Sequence, residues 1–387
     1  MLLTVIACGG DRVPELSEIS VLVVEGLPAQ SDAMAPYLVA DGADLLASWL
    51  EPTTAGGHRF VVSRLHDERW SAPVVIAQGD DFFANWADVP KVGVAGDGTL
   101  WAHWLAKLGD ETYAYGIFLA RSDDGGASWS PQGLLHDDTT PAEHGFVAYA
   151  AEGDALRAVW LDGREMPAGS PMGLRTALLA DGVGPSTVLD DRVCECCPTE
   201  LTRASGGVLT FYRDRGDDET RNIGLAQRSA DGWKAPRHLH DDAWRIPGCP
   251  VNGPAADSMS ERVAVAWFTA GQEQPRVQLA LSDDGGRSFG EPRIVDAERP
   301  LGRVDLVLGT VGESWVSWIA VSGDTAQVRL ARFADGERSD LVVAQTGASR
   351  ASGIPRLARA GERLYLAWVE TADDRPAGIR IARLAAK

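Results

Sequence analysis

Leu100-Trp101-Ala102-His103-Trp104-Leu105, with Lys91–Ala95 before it and Tyr115–Arg121 and Gly133–His136 after it, is one unit of a pattern that runs the length of the chain. The hexapeptide is brief, aromatic and bounded by Gly and Asp turn residues, so it reads as a strand. Equivalent segments follow at Leu45–Leu50, Leu156–Leu161, Val208–Tyr212, Val263–Phe268, Trp315–Ile319 and Leu364–Val369. Each carries an aromatic marker: Trp49, Trp104, Trp160, Tyr212 in place of Trp, Trp267, Trp318 and Trp368, at steps of about 50–56 residues. A period of that size means a propeller or an array of repeats.

The unit built on Leu100–Leu105 contains four short strands, which is one propeller blade. The seventh unit stops after its third strand, Gly378–Leu384, while an orphan strand, Ile19–Glu25, precedes the first. Lending the orphan to the last blade closes the ring and removes the unpaired edges of an open sheet. The expectation is an all-β, seven-bladed β-propeller closed by its N-terminal strand, as one domain over residues 19–387. The alternative is a six-bladed ring, with one marker in an irregular insertion.

A formal net charge of −19 over 387 residues argues against a basic face for nucleic acid. The N-terminus, Met1 to Cys8 (MLLTVIAC), is apolar and ends in small residues before a cysteine. It resembles a bacterial lipoprotein signal lipidated at Cys8, which makes residues 1–18 a signal remnant and linker. The expectation is therefore a monomeric lipoprotein of the cell envelope, in the periplasm or on the outer membrane, touching the membrane only through a lipid anchor. A frayed N-terminal segment with an incidental cysteine is the plainer alternative. Without Cys8 four cysteines remain, an even number that suits an oxidising compartment.

Ser122–Trp129 (SDDGGASW) and Ser282–Phe289 (SDDGGRSF) match almost letter for letter, with a degenerate third copy at Ser229–Trp233 (SADGW). Such a segment suits the hairpin between the third and fourth strands of a blade: glycines take positive φ, Asp and Ser bond the turn backbone, and the aromatic plugs the blade. This S-x-D-x-G-x-x-W/F pattern resembles the Asp-box repeats of the sialidase superfamily. Cys194–Cys197 (CECC), Tyr212–Arg215 (YRDR) and Gly248–Pro254 (GCPVNGP) narrow the resemblance to exported bacterial sialidase-like proteins. The resemblance implies the propeller fold and a carbohydrate-directed site. The sialidase Arg-Ile-Pro stands near the first blade, whereas here it is Arg245-Ile246-Pro247, leading into the fifth.

In a propeller the starts of the innermost strands and the loops after the second strands converge on one channel mouth. Strand starts contribute Asp32, Asn85–Asp88, Glu143 and His144, Cys196–Thr199, Cys249 and Asn252, Arg303 and Asp305, and Arg356. The loops add Glu51, Asp162, Arg164, Glu165, Arg213, Asp214, Arg215 and Arg221. Guanidinium forks suit carboxylate, sulfate or phosphate, so Arg164, Arg213, Arg215, Arg245, Arg303 and Arg356 form an anion-binding set. The competing reading pairs such arginines with neighbouring acids to knit the loops. For hydrolysis the acid/base candidates are Asp88, Glu143 and Asp162, with His144 as a proton shuttle.

Cys194, Cys196 and Cys197 stand at the start of the fourth blade and Cys249 at that of the fifth, so all four thiols can meet. They form either two disulfides or a site for a soft metal such as Cu(I) or Zn(II). Two functions follow: a propeller that binds, and in an enzymatic version hydrolyses, an anionic glycan or other small anionic ligand; or a non-catalytic envelope protein that binds a soft metal or a protein partner through its cysteines.

Overall fold

A computed structural model describes residues 19–205, 207–310 and 312–386; Cys8 lies outside them. The described strands form seven antiparallel sheets, each a blade. The innermost strands are Met34–Asp41, Lys91–Val94, His144–Glu152, Glu200–Ala204, Ala255–Met259, Pro300–Leu308 and Arg356–Ala360. Each packs against the next around a central channel, and the last returns to the first. Every marker has its own sheet, which excludes six blades.

The ring closes as the orphan strand foretells. Ile19–Val23 pairs antiparallel with Arg375–Ala386, with Ile19 opposite Ala386 and Val23 opposite Ala382, and supplies the outer strand of blade 7. Val24 N adds a bond to Ile381 O at 2.8 Å.

The core is divided between the blades. Trp49 packs where blades 7 and 1 meet, Trp160 between blades 2 and 3, Trp267 between 4 and 5, Trp318 between 5 and 6, and Trp368 between 6 and 7. Tyr212 and Trp104 do the same between blades 3 and 4 and blades 1 and 2. The marker thus always faces the preceding blade. Trp101 and Trp315, three residues before a marker, point through the other sheet face to the following blade, because strand side chains alternate. In blade 2 the fully buried indole is Trp101, whereas Trp104 is half-buried and stacks with Phe82 and Phe118.

The two full Asp boxes repeat bond for bond. Ser122 Oγ donates to Asp124 Oδ1 at 2.8 Å and accepts from Gly126 N at 2.9 Å, while Ser128 N and Oγ donate to Asp124 at 2.9 and 2.6 Å. Ser282, Asp284, Gly286 and Ser288 reproduce these bonds at 2.7, 2.9, 2.9 and 2.6 Å. The Ser128 bonds come first in drawing Asp124 down to about 2. Trp129 and Phe289 pack toward the preceding blade, as does Trp233 of the degenerate copy. The boxes end third strands, so they lie on the face opposite the mouth.

Candidate functional site at the channel mouth

Three thiols converge at the start of blade 4. Cys194 Sγ lies 2.8 Å from Cys197 Sγ and 3.9 Å from Cys196 Sγ, and all three sulfurs fall within 4.8 Å of one another. Cys194 and Cys197 are buried and Cys196 is half-buried; Cys249, exposed on the loop leading into blade 5, faces Cys196. All four are free thiols, so the expected disulfides are not formed in this structure, although Cys194 and Cys197 lie within cross-linking reach. Thiol hydrogen bonds from Cys196 and Cys197, helped by Arg213, hold Cys194 well below the usual thiol range, whereas burial pushes Cys197 up.

The loop that carries these thiols is bolted down from both sides. Cys194 N donates to Arg213 O at 2.9 Å and Val193 N to Met172 O at 2.9 Å. Asp190 accepts from Arg192 N at 3.0 Å and from the Tyr212 hydroxyl at 2.6 Å. Glu195, between the first two cysteines, pairs with Arg215 and lies 3.5 Å from Arg221 Nη1. Glu219 closes the lattice, bonding Arg215 Nη2 and Arg221 Nη2 at 2.7 Å each. Burial opposes the charge of Arg221, but Cys194 and Glu195 beside it outweigh burial and hold its pKa up.

This lattice corrects most of the expected anion-binding set. Arg213 is 1% exposed and donates to three backbone carbonyls, Asn252 O at 2.7 Å, Arg221 O at 2.7 Å and Phe268 O at 2.6 Å, with its guanidinium 4.9 Å from the Trp244 ring centroid. Arg164 grips Asp162 with two bonds of 2.7 and 2.8 Å and Asp137 with a third of 2.7 Å. Arg215 is held by Glu219 and Glu195, and exposed Arg245 pairs with Asp218. Arg303 donates to Ser349 O and Ser352 Oγ at 2.8 and 2.6 Å and stacks on Trp86 at 4.6 Å. Only Arg356, turned into the channel, keeps two side-chain nitrogens without a partner among the described residues of that set.

The acid candidates divide. Asp162 accepts from the Trp160 indole at 2.8 Å as well as from Arg164, and these bonds draw its pKa down although burial pushes it up; it is a structural acceptor, unsuited to deliver a proton. Fully buried His144 has Nδ1 3.1 Å from Ala142 O and Nε2 3.0 Å from Asp138 Oδ2. Nδ1 thus faces a backbone carbonyl and Nε2 a carboxylate, and both contacts hold the ring in place. His136, stacked on it at 4.0 Å, is lowered to about 4 by burial and by His144. Asp88 and Glu143 behave otherwise. Burial raises Asp88 to about 8, with Glu143 adding to the effect, and burial raises Glu143 to about 7 although the Tyr115 hydroxyl bonds it at 2.8 Å.

Sequence reasoning missed two groups. One is the acid that four of the marker indoles find: Glu51 for Trp49 at 2.7 Å, Asp162 for Trp160 at 2.8 Å, Asp242 for Trp267 at 2.7 Å and Asp296 for Trp318 at 2.6 Å, whereas the Trp368 indole has no partner among the described residues. The Trp-x-acid spacing at Trp49 and Trp160 was a signal for it. The other is a ring of buried charge in the channel, Lys91, Glu200, Asp305 and Arg356 around Tyr37, of which the sequence placed only Asp305 and Arg356 at the mouth, without the two partners.

The sequence matches no family model and no curated protein. Among solved structures the chain is similar to a protein of unknown function from Dyadobacter fermentans (13% identity, 96% of this chain and 98% of that one, TM-score 0.52). It is also similar to the polysaccharide lyase Uly1 (8% identity, 93% and 91% covered, TM-score 0.57). The NanB sialidase from Streptococcus pneumoniae aligns at 10% identity over 94% of this chain and 70% of that one, with a TM-score of 0.47. At these identities what is shared is the fold alone.

Proposed function

We propose that the protein binds a soft metal ion at its channel mouth, through Cys194, Cys196 and Cys197 with Cys249 as the outer thiol. The observation that carries this reading is the convergence of three sulfurs within 4.8 Å of one another, two of them buried. A metal with about 2.3 Å bonds to sulfur sets its thiolates about 3.8 Å apart. The 3.9 Å between Cys194 and Cys196 suits that spacing, and Cys197 has to withdraw by about 1 Å to match it. Thiolate ligands select Cu(I) or Zn(II) over hard cations. Arg213 and Arg221 beside Cys194 offset the negative charge that thiolates bring to a buried place. Exposed Cys249 gives the ion its way in.

The test is metal analysis and competition with a chromophoric chelator on reduced protein, for the wild type, Cys194→Ser and Cys249→Ser. One ion per chain in the wild type, none in Cys194→Ser and weakened retention in Cys249→Ser support the reading; a wild type that stays metal-free with reduced thiols rejects it. An envelope location through lipidated Cys8 belongs to the same proposal and is checked by metabolic labelling with a fatty acid.

A second reading, glycan processing, rests on Asp88 and Glu143, which burial raises to about 8 and 7, so both hold protons near neutral pH as a general acid must. The polysaccharide lyase among the similar folds is in keeping with it. Turnover of acidic polysaccharides that Glu143→Gln abolishes would favour this reading.

A further inference from the structure

A cleft between blades 5 and 6, on the Asp-box face and away from the thiols, has a volume of about 450 Å³, which suits a small molecule. Three guanidinium groups line it: Arg262 at the start of the second strand of blade 5, Arg293 at the start of its fourth, and Arg332 near the end of the third strand of blade 6. Three carboxyls line it as well: Asp283 of the Asp box, Glu313 just before the second strand of blade 6, and Asp335 in the turn that follows Arg332.

What sets the cleft apart is that its opposite charges do not meet. No side-chain nitrogen of the three arginines has a hydrogen-bond or ion-pair partner among the described residues, and none of the three carboxyls forms an ion pair among them. Asp123, the counterpart of Asp283 in the other full Asp box, is held by Arg121 at 2.8 Å. Blade 5 has Leu281 where blade 2 has Arg121, which leaves Asp283 without that partner. Buried Trp315 keeps two more charges apart: the Arg332 guanidinium carbon lies 5.8 Å from its ring centroid, while Glu313 Oε1 lies 3.5 Å from its indole nitrogen. Three buried polar atoms are left over, Arg262 Nε, Arg332 Nε and Glu313 Oε2, and Glu313 is only 9% exposed. Charged groups unmatched in a buried place are costly.

We propose that this cleft binds a small zwitterion, an amino acid with an acidic side chain, whose two carboxylates accept from the guanidinium groups and whose ammonium donates to Glu313 and Asp283. Guanidinium forks hold carboxylates by paired bonds, which fixes orientation as well as position. Two of the left-over buried atoms are donors and one is an acceptor, the same proportion as the ligand's carboxylates to its ammonium. Water satisfies such atoms singly but neutralises none of the separated charge, whereas a zwitterion neutralises both signs at once. The groups are held in place before the ligand arrives, so little ordering is left for binding to accomplish. The cleft shares no residue with the thiol cluster or with Asp88 and Glu143, and the inference is independent of both readings of the mouth.

The experiment is equilibrium dialysis of the full chain against labelled L-glutamate, with unlabelled glutarate, which lacks the ammonium, as competitor. Saturable binding of one L-glutamate per chain, glutarate weaker by roughly tenfold or more, and a loss of roughly tenfold or more in both Arg293→Met and Glu313→Gln support the site. No bound label overturns it, as does glutarate competing as well as L-glutamate itself, or binding that Arg293→Met leaves unchanged. Should Glu313→Gln fail to fold, Asp283→Asn takes its place; Arg293 and Asp283 are both exposed.

Discussion

Arg213→Met separates a scaffold arginine from a ligand-gripping one. The substitution keeps most of the side-chain stem and removes three bonds of 2.6–2.7 Å to the carbonyls of Asn252, Arg221 and Phe268, together with the stacking on Trp244. A net value of about 1.5 kcal/mol for each charged hydrogen bond gives roughly 4–5 kcal/mol, and the stacking adds about 1 kcal/mol. Releasing a buried charge returns part of this, and water entering beside the carbonyls returns more. The expected loss is about 3–5 kcal/mol, which places the variant among the severe ones and lowers Tm by roughly 5–10 °C. Urea unfolding followed by tryptophan fluorescence measures it. Arg245→Met is the control, because its partner Asp218 is solvent-exposed and water screens the pair, so little stability should be lost. An Arg213→Met protein as stable as the wild type, but impaired in binding an acidic glycan, would falsify the scaffold role and restore Arg213 to the binding face.

Asp88 supplies a pH signature. Its folded pKa of about 8 stands above the ordinary 3.8, so the native state holds the proton more tightly. Its contribution to stability is fully present below about pH 4, is lost as pH rises toward 8 and is level beyond that. Asp88→Asn should release one proton fewer on unfolding at pH 6, measured by calorimetry in buffers of different ionisation enthalpy; unchanged proton release would show that Asp88 is ionised in the fold. The Asp-box glycines should differ from each other. A Cβ at Gly286 would stand 2.5 Å from Leu209 Cδ1, against 3.4 Å from Leu100 Cδ1 at Gly126, and both residues have positive φ. Gly126→Ala should cost about 1 kcal/mol and Gly286→Ala about 1–3 kcal/mol more, read from denaturant midpoints. Removing residues 1–24 strips the outer strand from blade 7 and bares the edge of Arg375–Ala386. Such a chain should aggregate in light scattering where the full chain does not; a soluble monomer of undiminished Tm would mean that the ring closes without that strand.

The period of the markers, the Asp boxes and the orphan strand were legible because each is local: a strand, a hairpin and an unpaired end leave their residue types side by side. The direction of burial was legible only in part. Trp101 and Trp104 differ by an odd number of positions, so they face different neighbours, and no local rule says which indole lies deeper. The arginines misled for a related reason. A mouth loop of one blade meets the loop of the next about 50 residues away, so Arg213 finds carbonyls at Asn252 and Phe268, and Arg303 finds Ser349 and Ser352. Nothing in the run Tyr212–Arg215 tells that Arg213 is sealed in the core while Arg215 meets Glu195.

That arrangement ties the arginines to the cysteines more closely than to any anion. Glu195 stands between Cys194 and Cys196, and its carboxylate is caught by Arg215 with Arg221 alongside. Arg213 receives the Cys194 amide on its own carbonyl and reaches across to blade 5 near Asn252, three residues after Cys249. The same guanidinium groups therefore fix both loops that bear thiols, one from each blade. If the loops were held for a glycan, the N–H groups would point into the mouth and the carbonyls would be left to water. Instead Arg213 and Arg215 direct their donors to groups within the protein, and the thiols stand beside them. On the proposed reading, chemistry at this mouth would be set by four thiols on a rigid support, with Asp88 and Glu143 as nearby acids that burial raises to about 8 and 7.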